Sequence, residues 1–202
     1  MFTGIVRSIG RVAGVSTLDG VMRLEVKCEE DFLTECETGA SIAVDGVCLT
    51  VVSIDDNMVN FDVITETVEK TTLGSCFTGQ MLNMERSLRF GDEIGGHILS
   101  GHVSGTGSIV QATGGSGEHD LEIDLGEIGT RYIMEKGFIA VDGISLTVGK
   151  VTERTFWVHL IPETLNRTTI MGKEVGDDVN IEFDSQTVAT VDTLLRIQGE
   201  SV

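Results

Sequence analysis

The sequence predicts an all-β chain: two tandem copies of a small closed barrel of six strands, followed by one C-terminal α-helix. An internal repeat carries the first part of that prediction. IAVDGVCLTV (42–51) recurs as IAVDGISLTV (139–148), and ITETVEKTTL (64–73) as IPETLNRTTI (161–170), both at an offset of 97 residues. The same offset superimposes TGIV (3–6) on SGHV (100–103), Leu24–Glu25 on Leu121–Glu122, Gly79 on Gly176, Asn83 on Asn180 and Glu85 on Glu182, without a gap. A period this long marks a duplicated domain; solenoid units run to about 20–50 residues. The second observation is 25 Gly beside 1 Pro, with few long apolar helical stripes, the composition of short strands joined by tight turns. The third is a helical stripe confined to the end of the chain.

Taken in order, residues 2–14 alternate loosely and read as a long first strand. Val21–Val26 reads as a second strand and Asp31–Glu35 as one helical turn. Ser41–Val44, Val47–Ile54, Met58–Thr65 and Met81–Glu85 read as further strands, with a short helix at Glu66–Thr71. Asp45-Gly46, repeated as Asp142-Gly143, is the Asp-Gly hairpin signal. Six strands with close turns in so short a span point to a closed barrel, which leaves no exposed sheet edge. The first domain is placed at 1–97, the second at 98–185, and the glycines of FGDEIGGHILSG (90–101) suit the junction. GGSG at 114–117 reads as a flexible turn. The remainder, 186–202, has no partner in the first half; Val188, Val191, Leu194, Leu195 and Ile197 lie at helical spacing. That apolar face must be buried, either on its own barrel or in a helix bundle between subunits.

Composition narrows the function. A net charge of −18 disfavours nucleic acid and anionic membrane as partners, and no run approaches the length of a membrane span. Cys28, Cys36, Cys48 and Cys76 form no CxxC pair and read as reduced thiols of a cytoplasmic protein, with no signal peptide in MFTGIVRSIG. His97, His102, His119 and His159 complete no zinc spacing, so no metal site is expected. A GxSxG elbow, a Walker loop and a helix-opening GxGxxG are all missing.

The chemistry is sought in the repeat itself. Val47, Leu49 and Val51 point to one side of their strand and Cys48 and Thr50 to the other; Ile144, Leu146 and Val148 oppose Ser145 and Thr147 in the second copy. The small polar pair is either a solvent-facing strand side or the wall of a pocket for a heteroaromatic ligand. Lys136, Arg131 and Arg167 are the cations near the second copy's pocket, each read as a surface group unless the pocket claims it. Two copies of one barrel suit two copies of one ligand. If one ligand donates and the other accepts, residues that break the repeat are the chemical candidates. They are Ile5 against His102, Ser41 against Phe138, Cys48 against Ser145, Asp62 against His159, Gly39 against Lys136 and Ser87 against Asp184.

MFTGIV, GVCLTV (46–51), DEIGGHILSGHV (92–103), KGFIAVDGISLTV (136–148) and HLIPETLNRTT (159–169) resemble the riboflavin synthase α-chain family, in the right order over almost the whole chain. The resemblance implies two six-stranded Greek-key lumazine-binding barrels and a homotrimer held partly by C-terminal helices. It implies an active site between the first barrel of one subunit and the second of its neighbour. The implied reaction is dismutation of two 6,7-dimethyl-8-ribityllumazine molecules by transfer of a four-carbon unit, giving riboflavin and 5-amino-6-(ribitylamino)uracil without cofactor or metal. Lumazine synthase is a candidate partner.

By motif, first-barrel contacts fall on Gly4, Ile5, Val6, Cys48, Leu49, Thr50, Asp62, Val63, Ile64, Thr65, Glu66 and Thr67. Second-barrel contacts fall on Gly101, His102, Val103, Lys136, Ser145, Leu146, Thr147, Ile161, Pro162, Glu163, Thr164, Leu165 and Asn166, the last at a position often acidic in relatives. Residues tied to catalysis in the family fall on Phe2, Ser41, Cys48, His102, Ser145, Thr147 and Asp184. His102 is then the candidate base for an acidic 7-methyl group, with Asp184, Ser41 or Cys48 priming the donor. Backbone amides and Ser and Thr hydroxyls would hold the pyrimidine edge and stabilise developing charge. Holding two stacked rings in register would supply on the order of 7–11 kcal/mol. The alternative is a non-catalytic lumazine or flavin antenna protein. Such relatives lose pocket polar residues, whereas SLT (145–147), His102 and Lys136 are present here.

Overall fold

A computed structural model describes residues 1–114 and 119–199. The chain forms two closed six-stranded antiparallel barrels and a terminal helix. In the first, β1 (Ser8–Leu18), β2 (Val21–Lys27), β3 (Ser41–Val44), β4 (Val47–Asp55), β5 (Met58–Val63) and β6 (Met81–Arg86) pair in the order β1-β2-β5-β4-β3-β6. In the second, β7 (Gly105–Gly114), β8 (His119–Asp124), β9 (Phe138–Val141), β10 (Ile144–Val151), β11 (Thr155–Leu160) and β12 (Asp178–Phe183) close in the same cyclic order. Short helices α1 (Thr65–Lys70) and α2 (Pro162–Arg167) follow β5 and β11, each continuing into a 3-10 turn. The Gly-rich turn expected at 114–117 lies, beyond Gly114, outside the described residues.

Alternation builds these strands. In β2, Met22, Leu24 and Val26 face a core that also holds Val47, Leu49, Val51 and Phe61; Ile144, Leu146, Val148 and Phe156 occupy the second core. Register shifts at Val12/Gly14 and Ile109/Gln111, and again within β4–β5 and β10–β11, bend the strands enough to close each barrel.

The repeat extends to the contact between barrels. Asp45 and Gly46 have φ of 43° and 81°, Asp142 and Gly143 46° and 76°, so both turns have positive φ at their two central residues, as in type I′ turns. The two turns meet tip to tip: a Cβ on Gly46 would lie 2.7 Å from the Gly143 amide nitrogen, and the reverse. Around them Asn83 Nδ2 donates to the Asp142 carbonyl (3.0 Å) and Asn180 Nδ2 to that of Asp45 (2.9 Å). Asn83 Oδ1 accepts from Thr169 N (2.9 Å) and Asn180 Oδ1 from Thr72 N (2.8 Å), tying each barrel to the turn after the other's helix.

The first strand differs from its expected span. It begins at Ser8, not residue 2, because residues 2–5 pair across the molecule. Phe2 and Leu99 exchange backbone hydrogen bonds of 2.9 and 3.0 Å, and His97 N donates to the Thr3 carbonyl (3.1 Å). The C-terminal helix α3 (Ser185–Gln198) is capped by Asp184, which accepts from Thr187 N, and ends at Gly199 with φ 79°. Val188 packs on the second core and Tyr132 Oη donates to Asp192, yet Leu194 and Ile197 stay exposed.

Two aspartates are buried where the barrels meet, with a half-buried lysine against them. Lys173 Nζ lies 3.2 Å from Asp142 Oδ2, and the Asp45 carboxylate accepts from Asn83 N (2.6 Å). Burial pushes Asp45 well above the usual carboxylate range, and the neighbouring Asp142 charge adds to it; Asn83 and Lys173 pull the other way. Burial raises Asp142 too, against the pull of Lys173. Burial also opposes the Lys173 charge, but Asp142 and Asp45 outweigh it and hold its pKa up. Lys173 therefore pairs with Asp142, and of the two carboxyls Asp45 is the one whose protonated form burial favours more. A carboxyl with a raised native pKa binds protons in the folded state that the unfolded chain has released, so its stabilising contribution falls as pH rises through that native pKa. Thermal unfolding should show wild-type stability declining as pH rises above the ordinary carboxylate range. Asp45→Asn should flatten that decline and gain on the order of 1 kcal/mol at the alkaline end.

Candidate active site

Two clefts hold the Ile5/His102 and Cys48/Ser145 positions marked by the repeat, and each is built from both barrels. The first, of about 280 Å³, is walled by Val47 and Cys48 at the start of β4 and by Glu66, Thr67, Lys70 and Thr71 of the α1 region. Its remaining wall is Gly101, His102 and Val103, which lead into the second barrel. The second, of about 120 Å³, is walled by Ile144 and Ser145 of β10 and by Glu163, Thr164, Arg167 and Thr168 of the α2 region; Gly4, Ile5 and Val6 close it. The expected grouping of Gly4–Val6 with Cys48, and of Gly101–Val103 with Ser145, is therefore exchanged. The reason is the crossing of residues 2–5 and 97–101 between the barrels. Two larger hollows, of about 470 and about 640 Å³, hold none of the expected site residues and lie over exposed ion pairs and the seam between the barrels.

The crossing is held by backbone pairing and by two buried glutamates. Cys48 N donates to the Gly101 carbonyl and Ser145 N to that of Gly4, both at 2.8 Å. Glu85 on β6 accepts from Thr3 N (2.6 Å), Thr3 Oγ1 (2.7 Å) and Gly4 N (2.9 Å). Glu182 on β12 accepts from Ser100 N (2.7 Å), Ser100 Oγ (2.7 Å) and Gly101 N (3.0 Å). Burial raises both carboxyls above their ordinary range, and these hydrogen bonds oppose the rise. Gly4 and Gly101 have φ of 73° and 80°. A Cβ on Gly4 would lie 2.6 Å from Ser145 Cβ, and one on Gly101 2.5 Å from Cys48 Cβ. Phe2 is buried behind this floor with Ala43, Leu99 and Ala140, against Cys48.

The other expected residues divide by strand face. Leu49, Leu146, Val63 and Leu165 point into the cores and offer no side chain to a cleft. Thr50 and Thr147 are exposed and lie across the ladder from Ser41 and Phe138. The row continues to Asp62, paired with Arg23 at 2.9 Å, in the first barrel and to His159, paired with Asp120 at 2.7 Å, in the second. The same slot thus has its acidic and basic residues exchanged between the two copies. Ile64, Thr65, Ile161, Pro162 and Asn166 are exposed around the helix starts. His102 is exposed at the first cleft, its amide donating to Ser100 Oγ (3.0 Å). Lys136 is exposed at φ 65°, in the slot where the first copy has Gly39 at φ 89°. A lysine held there costs about 1–2 kcal/mol of backbone strain.

One histidine escaped the sequence reading. His97 Nδ1 lies 2.6 Å from Ser145 Oγ, and its ring stacks on Phe138 at 5.1 Å and 15°. Burial depresses its pKa, while the nearby Asp184 charge acts in the opposite sense. Only its Gly-Gly-His setting in the junction hinted at a fixed position. Among the described residues no His/Cys/Asp/Glu cluster is built to hold a metal.

The Lumazine binding domain family matches residues 3–87 and 100–184, each match opening on a crossing segment. The chain is 43% identical over 198 residues to the riboflavin synthase of Escherichia coli (strain K12), covering 98% of this chain and 93% of the relative. It is 45% identical over 201 residues to the riboflavin synthase of Chlamydia pneumoniae, covering 100% and 98%. The solved structure of LumP complexed with riboflavin superposes with a TM-score of 0.84 at 26% identity, over 92% of this chain and 100% of that one. LumP complexed with 6,7-dimethyl-8-(1'-D-ribityl) lumazine shares the fold, with a TM-score of 0.83 at 24% identity over 92% of this chain and 100% of that one.

Replacing Glu182 by Leu removes the acceptor for three hydrogen bonds that fix Ser100 and Gly101. The expected loss is about 2–4 kcal/mol in denaturant unfolding, with faster hydrogen exchange at those two amides than at the β12 ladder.

Proposed function

This chain belongs to the riboflavin synthase family, and on that premise we propose that it is the transferase that dismutates two 6,7-dimethyl-8-ribityllumazine molecules into riboflavin and 5-amino-6-(ribitylamino)uracil. The observation that carries the reading is the pair of composite clefts, equivalent in backbone and different in chemistry. His102 stands where the other copy has Ile5, and Cys48 where it has Ser145. Identical ligands bound in unlike surroundings are what a reaction between two copies of one molecule needs.

The four carbons leaving one ring are the four that the other gains, so atoms and electrons balance without an oxidant or reductant. His102 takes a proton from the 7-methyl group of one lumazine, and the resulting carbanion is delocalised into the ring. Hydroxyls of Ser145 and Thr147 and the Cys48 side chain hold the ring edges, and amides at the crossing segments supply preorganised dipoles. Ser41, in the row beside Thr50, and Asp184, near His97, are the candidates for priming the donor. Phe2 acts from behind by fixing the Gly101 floor.

The clefts of about 280 and about 120 Å³ are each too small to enclose two fused-ring ligands. A first-barrel cleft facing the second-barrel cleft of another subunit brings the pair together. The exposed Leu194 and Ile197 of α3 fit the core of a helix bundle that joins three subunits. The domain division at 1–97, 98–185 and 186–202 follows from these roles. Four free cysteines suit the cytoplasm.

Adding the lumazine to the purified protein should yield one riboflavin for every two lumazines consumed, followed by flavin absorbance. Binding with fluorescence but no flavin would favour an antenna role, the other use of this fold. His102→Gln should lower kcat about 10²-fold while leaving lumazine affinity within a few-fold. Light scattering on Leu194→Asp/Ile197→Asp should show a smaller species that has lost turnover but still binds the ligand.

A further inference from the structure

His97 belongs to the junction between barrels, yet its ring ends at the second cleft. It is 6% exposed, stacked on Phe138 and in contact with Ser145 through Nδ1. Its Nε2 is buried and has no hydrogen-bond partner among the described residues. A buried imidazole that satisfies only one of its two nitrogens is costly, so its position is set by what the satisfied nitrogen does.

We propose that His97 is a positioning residue that acts through Ser145: its Nδ1 accepts the Ser145 hydroxyl proton in a hydrogen bond, leaving the Ser145 lone pairs directed at an N–H donor on the edge of the ligand in the second-barrel cleft.

Three features support the assignment. With Nδ1 as the acceptor, the 2.6 Å contact takes the one proton a serine hydroxyl has, and the hydroxyl then faces its ligand as an acceptor only. The Phe138 ring, stacked at 15°, prevents the imidazole from turning away, and the His97 amide is anchored to the Thr3 carbonyl at 3.1 Å. Packing around the adjacent backbone is equally tight, since a Cβ on Gly96 would lie 2.2 Å from that same carbonyl oxygen and 2.8 Å from Ser145 Oγ. Burial keeps the imidazole neutral, the state in which a ring nitrogen accepts. Protonation would turn Nδ1 into a donor and reverse the Ser145 hydroxyl. Asp184, whose charge acts on the ring, and Glu85, which holds the Thr3–Gly4 segment bonded to the His97 and Ser145 amides, are the acidic groups around this arrangement.

The proposal rests on the lumazine-dismutating reading of the clefts, and a set of substitutions separates the two. Steady-state kinetics and lumazine fluorescence titration are measured for wild type, His97→Phe, His97→Asn, Ser145→Ala and the Phe/Ala double variant. His97→Phe keeps the stack and removes the acceptor; His97→Asn places an amide oxygen near the Nδ1 position. KM should rise about tenfold in His97→Phe and in Ser145→Ala, with kcat changed less. His97→Asn should recover most of the loss, and the double variant should be no worse than Ser145→Ala alone. The wild-type KM should rise on the acid side, and Ser145→Ala should remove that rise. A wild-type KM in His97→Phe, or losses that multiply in the double variant, would overturn the proposal. Wild type that binds lumazine without turnover would overturn the dismutation reading instead, while the fluorescence titrations would still decide the role of His97.

Discussion

The site depends on one exchange: each ligand cleft is closed by backbone that leads into the other barrel. Gly101 lies against Cys48 and Gly4 against Ser145, with amide-to-carbonyl bonds of 2.8 Å in both places. Only glycine fits, because each position combines a left-handed backbone with a contact that leaves no space for a Cβ. Glu85 and Glu182 enforce the exchange from beneath. Burying a carboxylate is unfavourable unless its lone pairs are filled, and here three donors from the crossing segment fill each one. Folding of either barrel and assembly of the opposite cleft are thus one event.

The backbone keeps the two halves equivalent, and the side chains then break the equivalence. The turns at Gly46 and Gly143, the asparagines at 83 and 180 and the glutamates at 85 and 182 are shared; they lie along the contact between barrels. The differences collect at its margins. His102 opposes Ile5, Phe138 opposes Ser41, and the Arg23–Asp62 pair becomes Asp120–His159. Lys173 is another case: it adds one half-buried cation against two buried aspartates, where the other copy has Cys76, whose thiol burial pushes up to about 12. A scaffold with a near-twofold axis and unlike rims presents the same ligand with two chemistries.

Much of this was legible in the residues. The offset of 97 located both barrels, and the Asp-Gly pairs located the turns at 45–46 and 142–143. Period-two alternation separated Leu49 and Leu146 from Cys48 and Ser145, and helical spacing marked 185–198. What escaped was long-range pairing. Residues 2–5 alternate as a strand does, but their partners are residues 97–99, far away in sequence, so no local pattern distinguishes a crossing segment from the start of β1. For the same reason the resemblance grouped Gly4–Val6 with Cys48. His97 was invisible because its role depends on Ser145, 48 residues on. Glu85 and Glu182 registered only as repeat markers, since a charged residue in a strand ordinarily faces water.

Calorimetric titration with an unreactive lumazine analogue tests the composite clefts most directly, using wild type, Gly101→Val and Gly4→Val with melting monitored alongside. Two unequal sites per chain are expected, with Gly101→Val abolishing the first-barrel site and Gly4→Val the second-barrel site. One site per chain in wild type, or a folded Gly101→Val protein that loses the second-barrel site and keeps the first, would contradict the exchange.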